Sequence, residues 1–156
     1  MAAQLNDLAA RIGAIERQIM LWHKASARSR LLDTIPGIGP IIATAITAAV
    51  PDASAFKSGR EFAAWLGLVP RQNSSGGKAR LGGISKQGNT YLRRQLIVGA
   101  HSVPRWSKEA RQDPWIGRLL ARKPRLVVAV ALANKLARIA WAVLARGQGY
   151  RRPATA

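Results

Sequence analysis

Residues 31–46 read Leu31-Leu-Asp-Thr-Ile-Pro36-Gly37-Ile38-Gly39-Pro40-Ile-Ile-Ala-Thr-Ala-Ile46. Two short apolar segments flank a turn with two glycines and two prolines. Proline after the turn suits the first position of a helix, because its fixed φ is helical and its missing N–H would lack a partner there anyway. Glycine supplies the backbone freedom that a tight reversal needs. The stretch therefore predicts two helices joined by a compact hairpin.

Outward from this turn the same punctuation repeats. Ser58-Gly-Arg-Glu61 has the spacing of a capping box and opens a helix carrying Phe62, Trp65 and Leu66, which Gly67 ends. Asn89 caps a helix expected from Thr90 to Val103. Pro104, Pro114 and Pro124 punctuate the C-terminal third of the chain, with a short helix from Pro114 and a long one from Pro124 to just before Gly147. Upstream, Leu5, Leu8, Ile12, Ile15, Ile19 and Trp22 recur at steps of three and four. That narrow stripe fits either a coiled-coil seam or a helix packed on its own domain. No alternating strand pattern is evident. The expected fold is all-α: an N-terminal coiled-coil-like helix over residues 1–29, then a domain over 30–156 with one long irregular loop.

That loop is Pro70 to Arg94, PRQNSSGGKARLGGISKQGNTYLRR. It holds five glycines and six Lys/Arg without a carboxylate. A structureless segment of ~20 residues is uncommon in a compact domain and marks function or disorder. The whole chain carries 25 Lys+Arg against 7 Asp+Glu, a formal charge of +18. Five of the seven acids lie in the first 61 residues, so the excess belongs to the rest. Such a charge calls for a polyanion. Glycine lets a phosphate approach the backbone, and Arg71, Lys78, Arg80, Lys86, Arg93 and Arg94 supply the cations. Arg93 and Arg94 sit near a helix N-terminus, against the macrodipole, which a bound anion would explain.

The hairpin at 36–40 resembles a helix-hairpin-helix motif. In that motif Gly37, Ile38 and Gly39 would hold a DNA phosphate through backbone amides, with Ile38 pinned in the core. A purely structural tight turn is the alternative, and Lys and Arg are absent from Leu31 to Phe56.

Several chemistries find little support. There are no cysteines, hence no disulfide, thiolate site or cysteine nucleophile. The acids are scattered: only Glu109 and Asp113 are close in sequence, and they read as a solvated helix face. A complete metal site within the chain is not expected. His23 and His101 read as structural or surface residues rather than catalytic bases. Asn134, Lys135 and Arg138 interrupt the most apolar run, Leu126 to Leu144, so a buried helix is expected there and not a membrane span. Ser74 and Ser75 remain, either as a nucleophile toward phosphorus or as part of a phosphate cradle with Gly76 and Gly77.

The ordered set Ile35-Pro-Gly-Ile-Gly-Pro40, Phe56-Lys-Ser, Ala64-Trp-Leu-Gly-Leu-Val-Pro70, Ser75-Gly-Gly, Gly83-Ile-Ser-Lys-Gln-Gly88 and Tyr91-Leu-Arg-Arg94 resembles the C-terminal transposase domain of the insertion-sequence one-ten family. The resemblance covers about residues 30–146. It implies a DNA transposase-recombinase in which Ser75 attacks DNA phosphate and forms a covalent phosphoserine link. An acidic RuvC-like domain would hold Mg²⁺, and a coiled coil would join the two parts. The implied partners are DNA, a guide (bridge) RNA and further copies of the chain through the N-terminal helix, with no membrane, in a prokaryotic cytoplasm near the nucleoid. The acidic domain is not in this sequence. No cofactor is therefore expected within the chain, and nucleic-acid binding is expected without strand transfer by this polypeptide alone.

Overall fold

A computed structural model describes residues 1–75, 78–106 and 112–151, the side chains of 73–75, 78–81 and 105–106 excepted. The fold is predominantly helical. Helix α1 spans Ala2–Ala25, α2 Ala27–Asp33, α3 Pro40–Ala49, α4 Gly59–Trp65, α5 Thr90–Trp106, α6 Pro114–Leu120 and α7 Arg125–Arg146. One turn of 3₁₀ helix lies at Ala53–Ala55.

The boundaries follow local chemistry. The Ser58 hydroxyl accepts the Glu61 amide at 3.2 Å, and Glu61 Oε2 reaches back to the Lys57 amide at 2.6 Å. The second bond goes one residue further back than in a standard capping box. Asn89 Oδ1 accepts the Leu92 amide at 3.0 Å, opening α5. Pro40 and Pro114 occupy first turns, with Asp113 capping α6. Gly147 closes α7 at φ +64°. Helix α5 runs on through Pro104 to Trp106 instead of ending at Val103.

Helix α7 is the spine of the core. It is long and apolar enough to cross a membrane, but its buried face (Val128, Leu132, Leu136, Ala140 and Val143 among others) packs inside the domain, chiefly on α5 and α4. Leu32, Ile35, Ile38, Ile46, Phe62, Leu66, Leu92 and Leu96 complete the cluster. Each such side chain, fully buried, contributes about 1.5–3 kcal/mol. Phe56, Phe62 and Trp65 stack at one edge, with centroids 5.1–5.8 Å apart.

One expectation needs correction. Residues Pro70–Ser75 and Lys78–Ile84 are not an irregular loop. They form antiparallel strands β1 and β2, a two-stranded ribbon with an irregularity between Pro70 and Gln72. The strands are polar and glycine-rich because the ribbon stands off the core, so no apolar alternation marks them. Residues 29 and 30, where the two parts were expected to meet, both lie in α2, and Ser29 is wholly buried against the end of α1.

Helix α1 leaves most of its stripe uncovered. Leu5, Leu8, Ile12 and Ile15 are 50–63% exposed, and Trp22 is 69% exposed. Its C-terminal end is fastened. His23 Nδ1 lies 2.8 Å from Ser29 Oγ, and His23 Nε2 lies 3.5 Å from Asp33 Oδ2.

Candidate nucleic-acid interface

The ribbon is held at its foot by the helices. The Ser85 amide donates to Val69 O at 2.9 Å, and the Lys86 amide donates to Gly67 O at 3.1 Å. Gly67 and Gly88 interlock there. A Cβ on Gly88 would stand 1.7 Å from Trp65 O, and one on Gly67 would stand 2.1 Å from Gln87 O. Both glycines have positive φ, 70° for Gly67 and 80° for Gly88, so each is required twice over. Lys86, at φ 58°, is the non-glycine residue that takes the left-handed conformation in this segment.

Ser75 pairs in register with Lys78, and Ser74 with Ala79. Ser75 is thus the last residue of β1. Gly76 and Gly77 lie outside the described residues, as do the side chains of Ser74, Ser75, Lys78 and Arg80. At the foot, Arg71 is exposed and donates to Ser85 O at 3.0 Å. Lys86 and Arg94 are exposed.

Arg93 is different. It is 8% exposed, and its guanidinium donates to Leu66 O and Gln87 O, both at 3.0 Å, and to Thr90 Oγ1 at 3.1 Å. The anion expected to offset its charge at the start of α5 is replaced by carbonyl oxygens from the end of α4 and the Gln87 turn. Arg93 therefore pins the ribbon's foot, and of the pair only Arg94 faces solvent.

The 36–40 turn is also packed inward. Ile38 is buried, as a pin to the core must be, and its amide donates to Ile35 O at 2.9 Å. Gly37 has φ +90°, and a Cβ there would lie 2.4 Å from Val103 Cγ2. Gly99 of α5 faces it: a Cβ on Gly99 would lie 2.1 Å from Gly37 O. These two glycines let the α2–α3 turn press onto α5, a structural demand sufficient to explain Gly37. Gly39 caps α3 with nothing within 4 Å of its Cβ position.

Five of the carboxylates are engaged locally. Asp7 pairs with Arg11, Asp33 faces His23, Glu61 bonds the Lys57 amide, and Asp113 caps α6 and meets Lys135 at 3.8 Å. The Ser54 hydroxyl and amide, aided by Arg28, hold Asp52 below the ordinary carboxylate range. Among the described residues no three His, Asp or Glu gather. One alignment has almost no signature in the sequence: Ser29, His23 and Asp33 form a row. Ser29 is wholly buried, so the row fastens α1 to α2 and offers no nucleophile to a substrate. The spacing from His23 to Ser29 and Asp33 across a helix junction is its only signal.

A helical core bearing a basic two-stranded ribbon defines the class of domain, and sequence comparison assigns its family. Residues 29–114 match the Transposase IS116/IS110/IS902 family, and the chain belongs to it. It is 53% identical over 150 residues to a probable family 20 transposase of Pseudomonas aeruginosa, covering 95% of this chain and 44% of that protein. Over 142 residues it is 41% identical to the transposase for insertion sequence element IS1111A of Coxiella burnetii and 42% identical to that for IS1328 of Yersinia enterocolitica. Those matches cover 90% of this chain and 39% and 42% of the relatives. The chain thus spans less than half the length of these curated relatives.

Proposed function

We propose that this chain is the serine-bearing part of a DNA transposase, with Ser75 as the nucleophile and the ribbon as the element that delivers it. The observation that carries the reading is the register: Ser75 ends β1 next to Gly76 and Gly77 in the sequence, opposite Lys78, on a ribbon anchored by Gly67, Gly88 and Arg93. A fastened foot and neighbouring glycines without side chains suit a hydroxyl that must meet a phosphodiester without steric obstruction.

In the step itself, Ser75 Oγ attacks phosphorus. The Oγ–P bond forms, the bond from phosphorus to one sugar oxygen breaks, and the serine proton passes through solvent to the departing oxygen. Phosphate charge is conserved, so the energy in the broken ester is kept in the phosphoserine link. Lys78 and Arg80 on β2, with Arg71, Lys86 and Arg94 at the foot, supply positive charge to the flanking backbone. Arg93 acts by positioning. The family resemblance adds Mg²⁺ held by an acidic domain and a guide RNA as parts of the complete enzyme. The exposed stripe on α1 supports self-association through that helix, which light scattering reads directly.

The experiment joins this chain to the remaining length found in its Pseudomonas aeruginosa relative, adds Mg²⁺ and plasmid DNA, and resolves covalent protein–DNA adduct on denaturing gels. Native chain forms adduct and Ser75→Ala does not. Equal adduct from Ser75→Ala, with none from Ser74→Ala, moves the nucleophile to Ser74.

A further inference from the structure

A second basic surface lies on the helical body. An open groove of about 960 Å³ runs between α4, α6 and α7, walled by Arg60, Trp115, Asn134, Lys135, Arg138 and Trp141. Its construction follows from a close approach. A Cβ on buried Gly59 would lie 3.0 Å from Arg138 O, so the first turn of α4 crosses α7 at Arg138. Arg60 and Arg138 thereby share one rim, and both are exposed. Positions 134, 135, 138 and 141 recur at three and four along α7 and face one way.

The walls are fixed. Asn134 Nδ2 donates to Leu68 O at 3.0 Å, and Trp141 Nε1 donates to Ala53 O at 3.1 Å. Lys135 Nζ sits 4.5 Å from the Trp115 ring centroid and 3.8 Å from Asp113. Among the described residues, Arg60 and Arg138 lie within ion-pair distance of no carboxylate. The groove also continues toward the ribbon. Ala131 and Asn134 line both it and an apolar groove of about 610 Å³ under the ribbon's foot, which Gly83, Ile84 and Lys86 border.

We infer that this groove receives an unpaired nucleic-acid strand leading away from the ribbon. The inference rests on the proposed nucleic-acid function and extends it to residues outside the ribbon. Cations beside indole rings are the composition that holds single strands, because an unpaired base offers a face for stacking that a base pair in a duplex hides. The path is continuous from Lys86 past Asn134 to Arg138. Arg60 and Arg138 contact successive phosphates, beside the half-buried indole of Trp115.

The test measures binding of labelled 20-nucleotide oligothymidylate and oligouridylate to the full chain across a salt series. Replacing both Arg60 and Arg138 with Ala should lower the log–log salt slope by about 1.4 and weaken binding about tenfold, since each single-strand phosphate contact contributes roughly 0.7 to the slope. Arg118→Ala with Arg122→Ala removes the same charge from exposed positions of α6 and its C-terminal turn that do not line the groove, and should leave the slope near native. Circular dichroism checks that both variants fold. A native slope in the Arg60/Arg138 variant, or an equal loss in the Arg118/Arg122 control, overturns the inference while the ribbon reading stands. An acidic protein surface then becomes the groove's candidate occupant. Failure of the native chain to bind either oligonucleotide overturns the groove inference and leaves the Ser75 reading to the adduct experiment. A stronger effect on one oligonucleotide decides between DNA and RNA.

Discussion

The turn at 36–40 and the ribbon at 70–84 are both glycine-rich, and both were expected to hold phosphate, yet the fold treats them oppositely. The turn spends Gly37 on contact with Gly99 and Val103, with Ile38 buried behind it. The ribbon keeps its interlocking glycines, Gly67 and Gly88, at its foot and sends the Ser75–Lys78 end outward in register. A glycine is thus interpreted by what its missing Cβ would meet. Where that is backbone, the residue answers to packing; where it is open space, as at Gly39 and Gly83, packing makes no such demand.

The contrast can be broken by substitution. The largest effect should come from Gly99→Ala, which sets a methyl 2.1 Å from Gly37 O. Backbone on both sides cannot yield cheaply, so a loss of about 3 kcal/mol or more is expected in urea unfolding. Gly39→Ala, with open space around it, should cost about 1 kcal/mol or less. Similar losses for the two would mean that the turn is not pressed on α5.

An intermediate effect separates the two arginines of α5. Arg93→Ala removes three hydrogen bonds to a buried cation and should cost about 2–3 kcal/mol of stability. Arg94→Ala should leave stability within about 0.5 kcal/mol and instead reduce the salt slope of DNA binding by about 1. Reversed outcomes would restore Arg93 as the phosphate clamp. The smallest effect is expected at the turn. Ile41, 46% exposed in the first turn of α3, can be changed to Glu to repel a phosphate there. DNA affinity should change by about twofold or less, because the segment from Leu31 to Phe56 carries no cation to recruit one. A tenfold loss would return the turn to the interface.

Much of the helical frame was legible because its signals are local. Ser58, Asn89, Pro40, Pro114 and Gly147 act within a few residues of themselves, and the structure uses each at a helix end. The ribbon was not legible as strands. Gly76-Gly77 between two short runs is a hairpin signal, but polar, basic flanks hid it from a search for apolar alternation. The inward turn of Arg93 was hidden for another reason: its acceptors at Leu66 and Gln87 lie 27 and 6 residues away, brought close only by the Gly67–Gly88 interlock. Likewise the groove on α7 unites residues from 60 to 141, a juxtaposition with no local signature.

The row of His23 with Ser29 and Asp33 has a mechanical consequence. Helix α1 has 24 residues, about 36 Å at 1.5 Å per residue, and is fastened near its last turns. It is a lever with its fulcrum at a histidine. A rotation of about 10° at that joint displaces the far end by roughly 6 Å, more than one helical turn. The position of Leu5 and Leu8 relative to the core is therefore sensitive to small changes where α1 meets α2 and α3.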